Sequence, residues 1–555
     1  MNPNNSFFRK MVYLLCLIMV AAPIVWLGRP SSPGDQGGKL AQERTEARLG
    51  QADLGAIDPA SETIRLATLG LRGIAVTMLW NAANNYKKTE DWTAFQSTLE
   101  QLARLQPYFV KVWQYQAWNL SYNVSVELDN VRDRFYYVKQ GIEYLMDGIG
   151  YNRDHPRLLD DLGWFTGNKV GRADEHEIYR KLYKLDEDLN PNDDPTLRDN
   201  WLASKHWYEQ AVAAVDEKGQ SLSTMNPTTF FDSPARSQIS YAEAIEEEGI
   251  FGETAKRAWR DGGRLWKEYG EREMPSTDDF MIRLVDENKW KLEAARLRNE
   301  LDALDPGIEA KMKEEAQGQL TADQRRVWES LPAEPTADEQ KWHTEALGLM
   351  DVSVPKIAAR IAKDHPDQAA KAQSLAAQIE DANRRANLIS SNRDVANFEY
   401  WTIRCDLEQT PESLKARDFA HQAEKRFAEG DPKGAMGLYE QCFVEWGKAL
   451  DQFPQMPRDS TTGGDLMEFI EDYAAVLEQL DLSLEDEDVA NRFALWELLE
   501  INDQQRKFAK AIDDHKRRKA GLPPAEVKDV EETPSNSLID PKDALPTDPD
   551  EAATQ

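Results

Sequence analysis

Residues 76–120 read VTMLWNAANNYKKTEDWTAFQSTLEQLARLQPYFVKVWQYQAWNL, and their spacing decides the fold. Leu79, Ala83 and Tyr86 fall on one side of a helix, and the polar run Asn84, Asn85, Lys87, Lys88 leads to a turn at Glu90-Asp91. A second helix carries Phe95, Leu99 and Leu102 and stops at Pro107, because a proline drives the residue before it out of the helical region. The next helix opens with Trp113 and keeps Ala117 and Leu120 on one face. Leu79 to Trp113 and Ala83 to Ala117 are both thirty-four residues apart. A small residue at Ala83 or Ala117 lets two helices approach closely, and a large one at Tyr86 or Leu99 fills the groove beside it. One such pair cannot bury its apolar face alone, so neighbouring pairs must stack.

A helix-turn-helix period of this length resembles the tetratricopeptide (TPR) repeat. The next unit is irregular. Gly141, Leu145 and Gly148 have the spacing of a repeat's second helix, and Leu162-Gly163 opens another. Ala117 to Gly141 is twenty-four residues, about twelve more than the regular repeat, which predicts an insertion of about three turns around Ser125 to Phe135. Ala423, Phe427, Ala435, Tyr439 and Cys442 repeat the pattern downstream, with Gly430-Asp431 in the turn. Phe95 departs from it, standing where the TPR family prefers a small residue. The alternative is a generic array of amphipathic hairpins. The expected fold is therefore all-α: a helical-hairpin (TPR-like) repeat array after one N-terminal transmembrane helix, with a disordered acidic C-terminal tail.

The chain has 555 residues, too many for one compact core. Its net charge of −31 would repel a phosphate backbone, and no basic stripe interrupts it, which argues against nucleic acid as a partner. The same charge keeps the main body away from anionic headgroups. Of the three cysteines, Cys16 lies in the apolar N-terminal run. Cys405 and Cys442 are available for a disulfide outside the cytoplasm, but two cysteines make no framework.

Met11 to Gly28 is eighteen residues without a charge, preceded by Arg9 and Lys10 and carrying Trp26 near its end. That is the length of a short spanning helix. A cleaved signal peptide is the competing reading, and Pro23 after Val20-Ala21-Ala22 speaks against cleavage. The organisation that follows is a tail over 1–10, an anchor over 11–28 and a flexible linker over 29–60. Then come an N-terminal TPR-like helical domain over 61–220, a Ser/Thr/Pro-rich loop over 221–240 and a middle helical region over 241–409. A C-terminal TPR-like region over 410–520 and a disordered acidic tail over 521–555 complete it. A short N-terminal tail before a single span stays inside, so the main body is expected outside the cytoplasm, on a bacterial inner membrane.

Within this frame, Tyr241 to Tyr269 reads as a helix pair with Ala244, Ala255, Trp259 and Trp266 in its core. Met281 to Leu304 reads as one charged helix. Thr321 with Gln324, and Thr336 with Glu339, have capping-box spacing. Leu466, Phe469, Ile470, Tyr473, Leu477 and Leu480 form an apolar stripe. Ser483 starts a last helix running to about Lys519.

Sites of chemistry are hard to find. Asp186, Asp188 and Asn190 open like a calcium loop, but Pro191 and Leu197 stand where glycine and glutamate are needed. His176-Glu177 lacks a second histidine, Arg180 standing in its place. Gly262-Gly263 and Gly463-Gly464 read as helix-end punctuation. No catalytic, metal or cofactor residue is assigned. The aromatic run holds the candidates: Tyr115, Trp118 and Tyr122 point away from the face of Trp113 and Ala117. They form either a groove that anchors a peptide or core packing against the inserted segment.

Several blocks carry a further resemblance: Leu69-Gly70-Leu71-Arg72-Gly73-Ile74-Ala75, Leu79-Trp80-Asn81, Glu90-Asp91-Trp92, Leu105-Gln106-Pro107, and Trp118 through Ser125. They resemble an uncharacterised membrane-anchored, TPR-like protein family of planctomycete bacteria, some members of which carry the label "iron responsive element". That label describes an RNA feature and implies no activity. The resemblance covers mainly residues 55 to 170. It implies a bacterial, tethered helical-repeat protein and supplies no catalytic residues. The expected function is a membrane-tethered scaffold that binds a protein or peptide partner without catalysis. The alternatives are an enzyme built from scattered carboxylates and histidines, and a structural component of the cell envelope.

Overall fold

The computed structural model describes residues 6–27, 38–39, 42, 72–89, 91–190, 192, 194–276 and 280–522. Apart from residues 38, 39, 42, 521 and 522, the expected linker over 29–60 and tail over 521–555 lie outside these. So do residues 61–71 of the N-terminal helical domain expected over 61–220. The chain is all-α, and its first helix is Ser6–Leu27. Among the described residues no helix is long and apolar enough to cross a membrane. Side chains at 17, 18, 20–22, 24 and 25 are outside that set. The chain forms two compact units, Met1–Asp418 and Phe419–Gln555.

In the first unit, Arg72–Lys88 and Trp92–Leu105 form a hairpin. Asp91 caps the second helix by accepting the Ala94 N–H at 3.1 Å, which satisfies a backbone donor that has no partner inside the helix. Phe95, Leu99 and Leu102 are buried from that helix, and Ala83 meets them from the first. Val110–Trp118 continues without a break through a π-helical stretch, Asn119–Val124, and a single tight turn, Ser125–Glu127. The chain then reverses over 128–130 into Val131–Tyr151. The expected insertion at Ser125 to Phe135 is thus absorbed as extra helix on both sides of a three-residue turn.

Glycines set how closely these helices meet. A Cβ on Gly141 would lie 2.8 Å from the Ala117 carbonyl oxygen and would also strike the Ser121 side chain. One on Gly148 would lie 2.8 Å from the Trp113 ring. The next helical run, Pro156–Trp164 continued through Phe165–Lys169, packs on Asn200–Asp216 in the same way. Gly163, Gly167 and Gly171 stand four residues apart against Tyr208, Ser204 and Trp201. Going up one helix means going down the other, so the pair is antiparallel. His176–Leu185 is an additional helix that packs on Val131–Tyr151.

Arg180 of that helix is buried and ion-paired with Asp199 and Glu248, each at 2.9 Å, and it also donates to Asn200. A buried guanidinium needs this full set of partners, because an unpaired one would lose its hydration for nothing.

Pro227–Glu247 and Glu253–Glu271 follow, with Ala244, Ala255, Trp259 and Trp266 buried as expected. The loop expected over 221–240 is corrected: it is helical from Pro227. Asn226 accepts the Thr228 N–H, and Pro227 takes the first helical position, where its missing donor costs nothing. Met281 to Leu304 is corrected too. Met281–Ile282 pairs antiparallel with Met274–Pro275, and the helix begins only at Glu287. Gly262-Gly263 lies inside a helix rather than at its end, with Gly262 against Ile239 of the preceding helix. Glu287–Asp302 packs along Ala369–Ala396, and Leu301, Ile308, Ile357, Ile361 and Ile379 form a separate small core there. Both expected capping boxes, at Thr321 and Thr336, are made.

The second unit begins within Pro411–Ala428. Gly430, at φ 83°, makes the turn into Pro432–Gln452, whose N-terminus Asp431 caps. Ala435, Tyr439 and Cys442 are buried from that helix, and Leu466, Ile470, Tyr473 and Leu477 from Ser460–Glu478. Gly463-Gly464 lies in the first turns of this helix, with Gly463 against the Asn502 side chain, so it does not mark a helix end. The single last helix expected from Ser483 is corrected to three short ones, Glu487–Ala490, Trp496–Asn502 and Ala509–Lys519. Asp503 accepts the Lys507 and Phe508 N–H groups at 2.8 Å each and diverts the chain into a turn. Cys16, Cys405 and Cys442 are free thiols.

The glycine contacts predict a directional result. In Gly163→Ala the new methyl would sit 2.9 Å from the Tyr208 ring, which is embedded in the core. The variant should lose about 1–3 kcal/mol, read as a lower midpoint in thermal unfolding. Gly318→Ala meets nothing within 4 Å and should be neutral to stabilising.

Candidate functional site: an aromatic seam at two widened helical turns

Of the three aromatic candidates, the structure brings two together and separates the third. Trp118 and Tyr122 stack at 4.2 Å with an interplanar angle of 17°. They lie one turn apart, and the wider π turn between them brings such side chains nearly into register. Tyr115 sits one seam earlier. Its ring meets Trp80 edge-on at 5.5 Å and Phe95 at 6.2 Å, with the Lys87 ammonium 5.5 Å above it.

The partners of Trp118 and Tyr122 come from the run Pro156–Lys169, one helix beyond Val131–Tyr151, not from the inserted segment. Phe165 stands edge-on to both rings, at 6.4 Å and 5.5 Å. The Trp164 indole donates to the Tyr122 hydroxyl, whose pKa burial raises in spite of that bond. The Lys169 ammonium lies 4.7 Å over the Tyr122 ring, in cation–π range. Burial pushes Lys169 below its usual value, with Arg134 adding to the shift and Glu175 and Asp174 opposing it.

Trp164, Phe165 and Lys169 escaped the sequence reading, although a signal for them exists. Trp118-x-x-Ser121-x-x-Val124-Ser125 recurs as Trp164-x-x-Gly167-x-x-Val170-Gly171, forty-six residues on. Both copies adopt a π-helical turn, over Asn119–Val124 and Phe165–Lys169. Such turns loosen the regular backbone ladder, and here side chains repair it. Asn119 donates to the Tyr115 carbonyl at 2.7 Å, and Ser125 donates to that of Ser121. Asn200 donates to the Thr166 and Gly167 carbonyls at 3.2 Å each. The outcome is two equivalent tryptophans presented to solvent, Trp118 at 49% and Trp164 at 48% exposure. π turns of this kind concentrate at functional sites.

One turn before Trp164 the seam becomes acidic. Gln114 donates to Asp161, which ties the two helices together, and Arg157 pairs with Asp161 at 3.2 Å. Burial and the neighbouring Asp161 push the Asp160 carboxyl up to about 7, with Arg157 opposing and Asp232 adding to the rise. Burial raises Asp232 to about 6 against the pull of Arg236, 2.5 Å away. Burial pushes the Tyr208 hydroxyl well up, with Asp160 and Asp232 adding to it.

Other residues singled out from the sequence have structural partners. Asp186 accepts the N–H groups of Asp188 and Leu189, and Lys139 binds Asp186 at 2.6 Å and Asp188 at 3.1 Å. The His176 ring bonds the Ala173 carbonyl at 2.9 Å. No group of three or more His, Cys, Asp or Glu among the described residues is arranged to hold a metal ion.

Raised acids have a definite sign in stability. Asp160 and Asp232 bind their protons more tightly folded than unfolded. Their contribution is therefore fully present below the unfolded value of 3.8 and is lost as pH rises through about 6 to 7. Thermal midpoints should fall between about pH 4 and pH 7. Asp160→Asn should flatten that slope and unfold at higher temperature than the parent at the upper end. Compared with known proteins, the chain matches no family model and no curated relative.

Proposed function

We propose that this protein is a membrane-tethered, TPR-like scaffold that holds a protein or peptide partner along its aromatic seams. The observation that carries the reading is the pair of half-exposed indoles, Trp118 and Trp164, at equivalent places in two helices separated by Val131–Tyr151. Large rings held rigid by stacking lose little entropy on contact, and such residues dominate binding hot spots. In a stacked-hairpin array, the first helices of successive hairpins share one face, which gives an extended partner a continuous track. The thirty-four-residue spacing of Leu79 and Trp113 supports the TPR-like reading. The resemblance over residues 55 to 170 supports a bacterial, membrane-anchored setting.

The tether is read from residues 11–28. The helix Ser6–Leu27 has 22 residues and at 1.5 Å per residue extends about 33 Å, so length supports the tether, although no helix among the described residues meets both the length and the apolarity of a span. The run from Met11 to Leu27 holds no charge. On this reading the main body lies outside the cytoplasm, at the bacterial inner membrane.

Two experiments test this. Deleting residues 11–28 should move the protein from the membrane pellet to the soluble fraction; retention in the pellet would remove the anchor from the reading. A photo-crosslinking amino acid at position 118 of the full chain, in its own host, should capture one reproducible polypeptide. Trp164→Ala should reduce that yield at least tenfold while leaving the melting curve nearly unchanged. The same yield from a probe at the exposed position 429, in the second unit, would refute the seam as the binding face.

A further inference from the structure

A second concave site lies apart from the seam and shares no residue with it. A cavity of about 400 Å³ opens between Trp92–Leu105, Val110–Trp118 and Val131–Tyr151. Its wall is aromatic. Trp113 is buried and locked by donating its indole N–H to the Pro107 carbonyl at 2.8 Å. The Tyr151 ring stacks on it at 5.7 Å and 16°, and Tyr144 leans against it at 4.7 Å.

Three carboxylates face the same space, from Glu100, Glu143 and Asp147. Glu143 is already engaged, by Gln140 at 2.7 Å and Lys139 at 3.4 Å. Glu100 and Asp147 differ, making no hydrogen bond or ion pair among the described residues. Both are near enough to Tyr144 to add to the rise that burial gives its hydroxyl pKa. Burial alone raises the Asp147 carboxyl. Arg104 stands at the same cavity as the one cation among its described lining residues.

We propose that this cavity binds an organic cation, an ammonium or guanidinium group seated against the Trp113 and Tyr144 rings and balanced by Glu100 and Asp147. Aromatic faces attract cations through their quadrupole, and the attraction grows as water is displaced. The carboxylates supply the compensating charge. An anion would meet them as like charge. A neutral apolar guest would strip their water and return nothing. A bare metal ion would find no converging set of oxygen ligands. The volume suits one side chain or a small molecule, not a folded surface. The cation can arrive free or on an arginine or lysine side chain, and the test separates the two.

Calorimetric titration of the full chain in detergent should use tetramethylammonium, a blocked Gly-Arg-Gly peptide and the matching citrulline peptide. At least one cation should bind, and citrulline should bind at least tenfold more weakly than arginine. Binding of tetramethylammonium assigns a free amine as the source; binding of the arginine peptide alone assigns a side chain. Glu100→Gln with Asp147→Asn should weaken binding at least tenfold, whereas Glu429→Gln, an exposed acid elsewhere, should not. Both changes are isosteric and lie on exposed positions, so folding should survive them. Arg104→Ala should tighten binding severalfold by removing a competing guanidinium, a gain that a purely structural role for these acids would not produce. Measurable and equal binding of the citrulline and arginine peptides, no cation binding, or unchanged affinity in the double variant would overturn the proposal.

Discussion

Backbone-to-backbone approach between successive helices is the constraint from which the rest of the first unit follows. Glycine inside a helix costs roughly 1 kcal/mol against alanine. Gly141, Gly148, Gly163 and Gly167 nevertheless all sit mid-helix or at a helix's widened turn. The contacts they permit offset that cost. Ala117 and Ser121 nest against Gly141, Trp113 packs on Gly148, and Tyr208 and Ser204 cover Gly163 and Gly167. Dispersion falls steeply with distance, so contact at this range is worth more than the same atoms a methyl group apart. The aromatic side chains then have nowhere to go but sideways, into the seams between neighbouring helices. The crowding around Tyr115, Trp118 and Tyr122 is a consequence of close packing as much as of any ligand.

The widened turns are the second consequence. Residues beyond a regular hairpin must be stored somewhere, and both long helices store part of them as π turns. These are stable only because nearby amides and hydroxyls take up the displaced carbonyls. Asn119 and Ser125 do so locally. Asn200 does so from another helix, and Arg180 holds Asn200 in place together with Asp199 and Glu248. The presentation of Trp164 therefore depends on Asn200, thirty-six residues along the chain, and on the buried Arg180 of the helix His176–Leu185 that holds it.

The sequence was legible where a physical rule acts locally. Thr321 and Thr336 announced their helices because a hydroxyl and a side-chain acceptor three residues on satisfy each other's orphan donors. Ala244, Ala255, Trp259 and Trp266 announced a core by periodicity alone. Reading failed where composition was allowed to outvote position. The Ser/Thr/Pro-rich stretch before Ser237 looked like loop, yet Asn226-Pro227 is a helix start. Between Ser483 and Lys519 the apolar pattern looked continuous, yet Asp503 and the positive φ of 58° at Arg506 break it. For the site, Trp118 and Tyr122 were visible as aromatics off the core face. Trp164 and Lys169 were hidden because a search at a period of thirty-four cannot see a repeat at forty-six. Tyr115 was misplaced because three residues along a helix are enough to turn a side chain toward a different neighbour.

The two seams share a composition that bears on the scaffold reading. Lys87 lies over Tyr115 beside Trp80, and Lys169 lies over Tyr122 beside Trp118 and Trp164. In a chain of net charge −31, these are places where a cation is held against a ring instead of being spent on a surface carboxylate. An extended partner that met one seam would find similar chemistry at the next. The second contact would then form at the high effective concentration that a rigid array imposes, so two weak contacts combine into one durable attachment without either being tight. Stacking fixes the distance between seams, and the glycine contacts fix the stacking. On the proposed scaffold reading, the spacing that a partner would have to match follows from the helix packing.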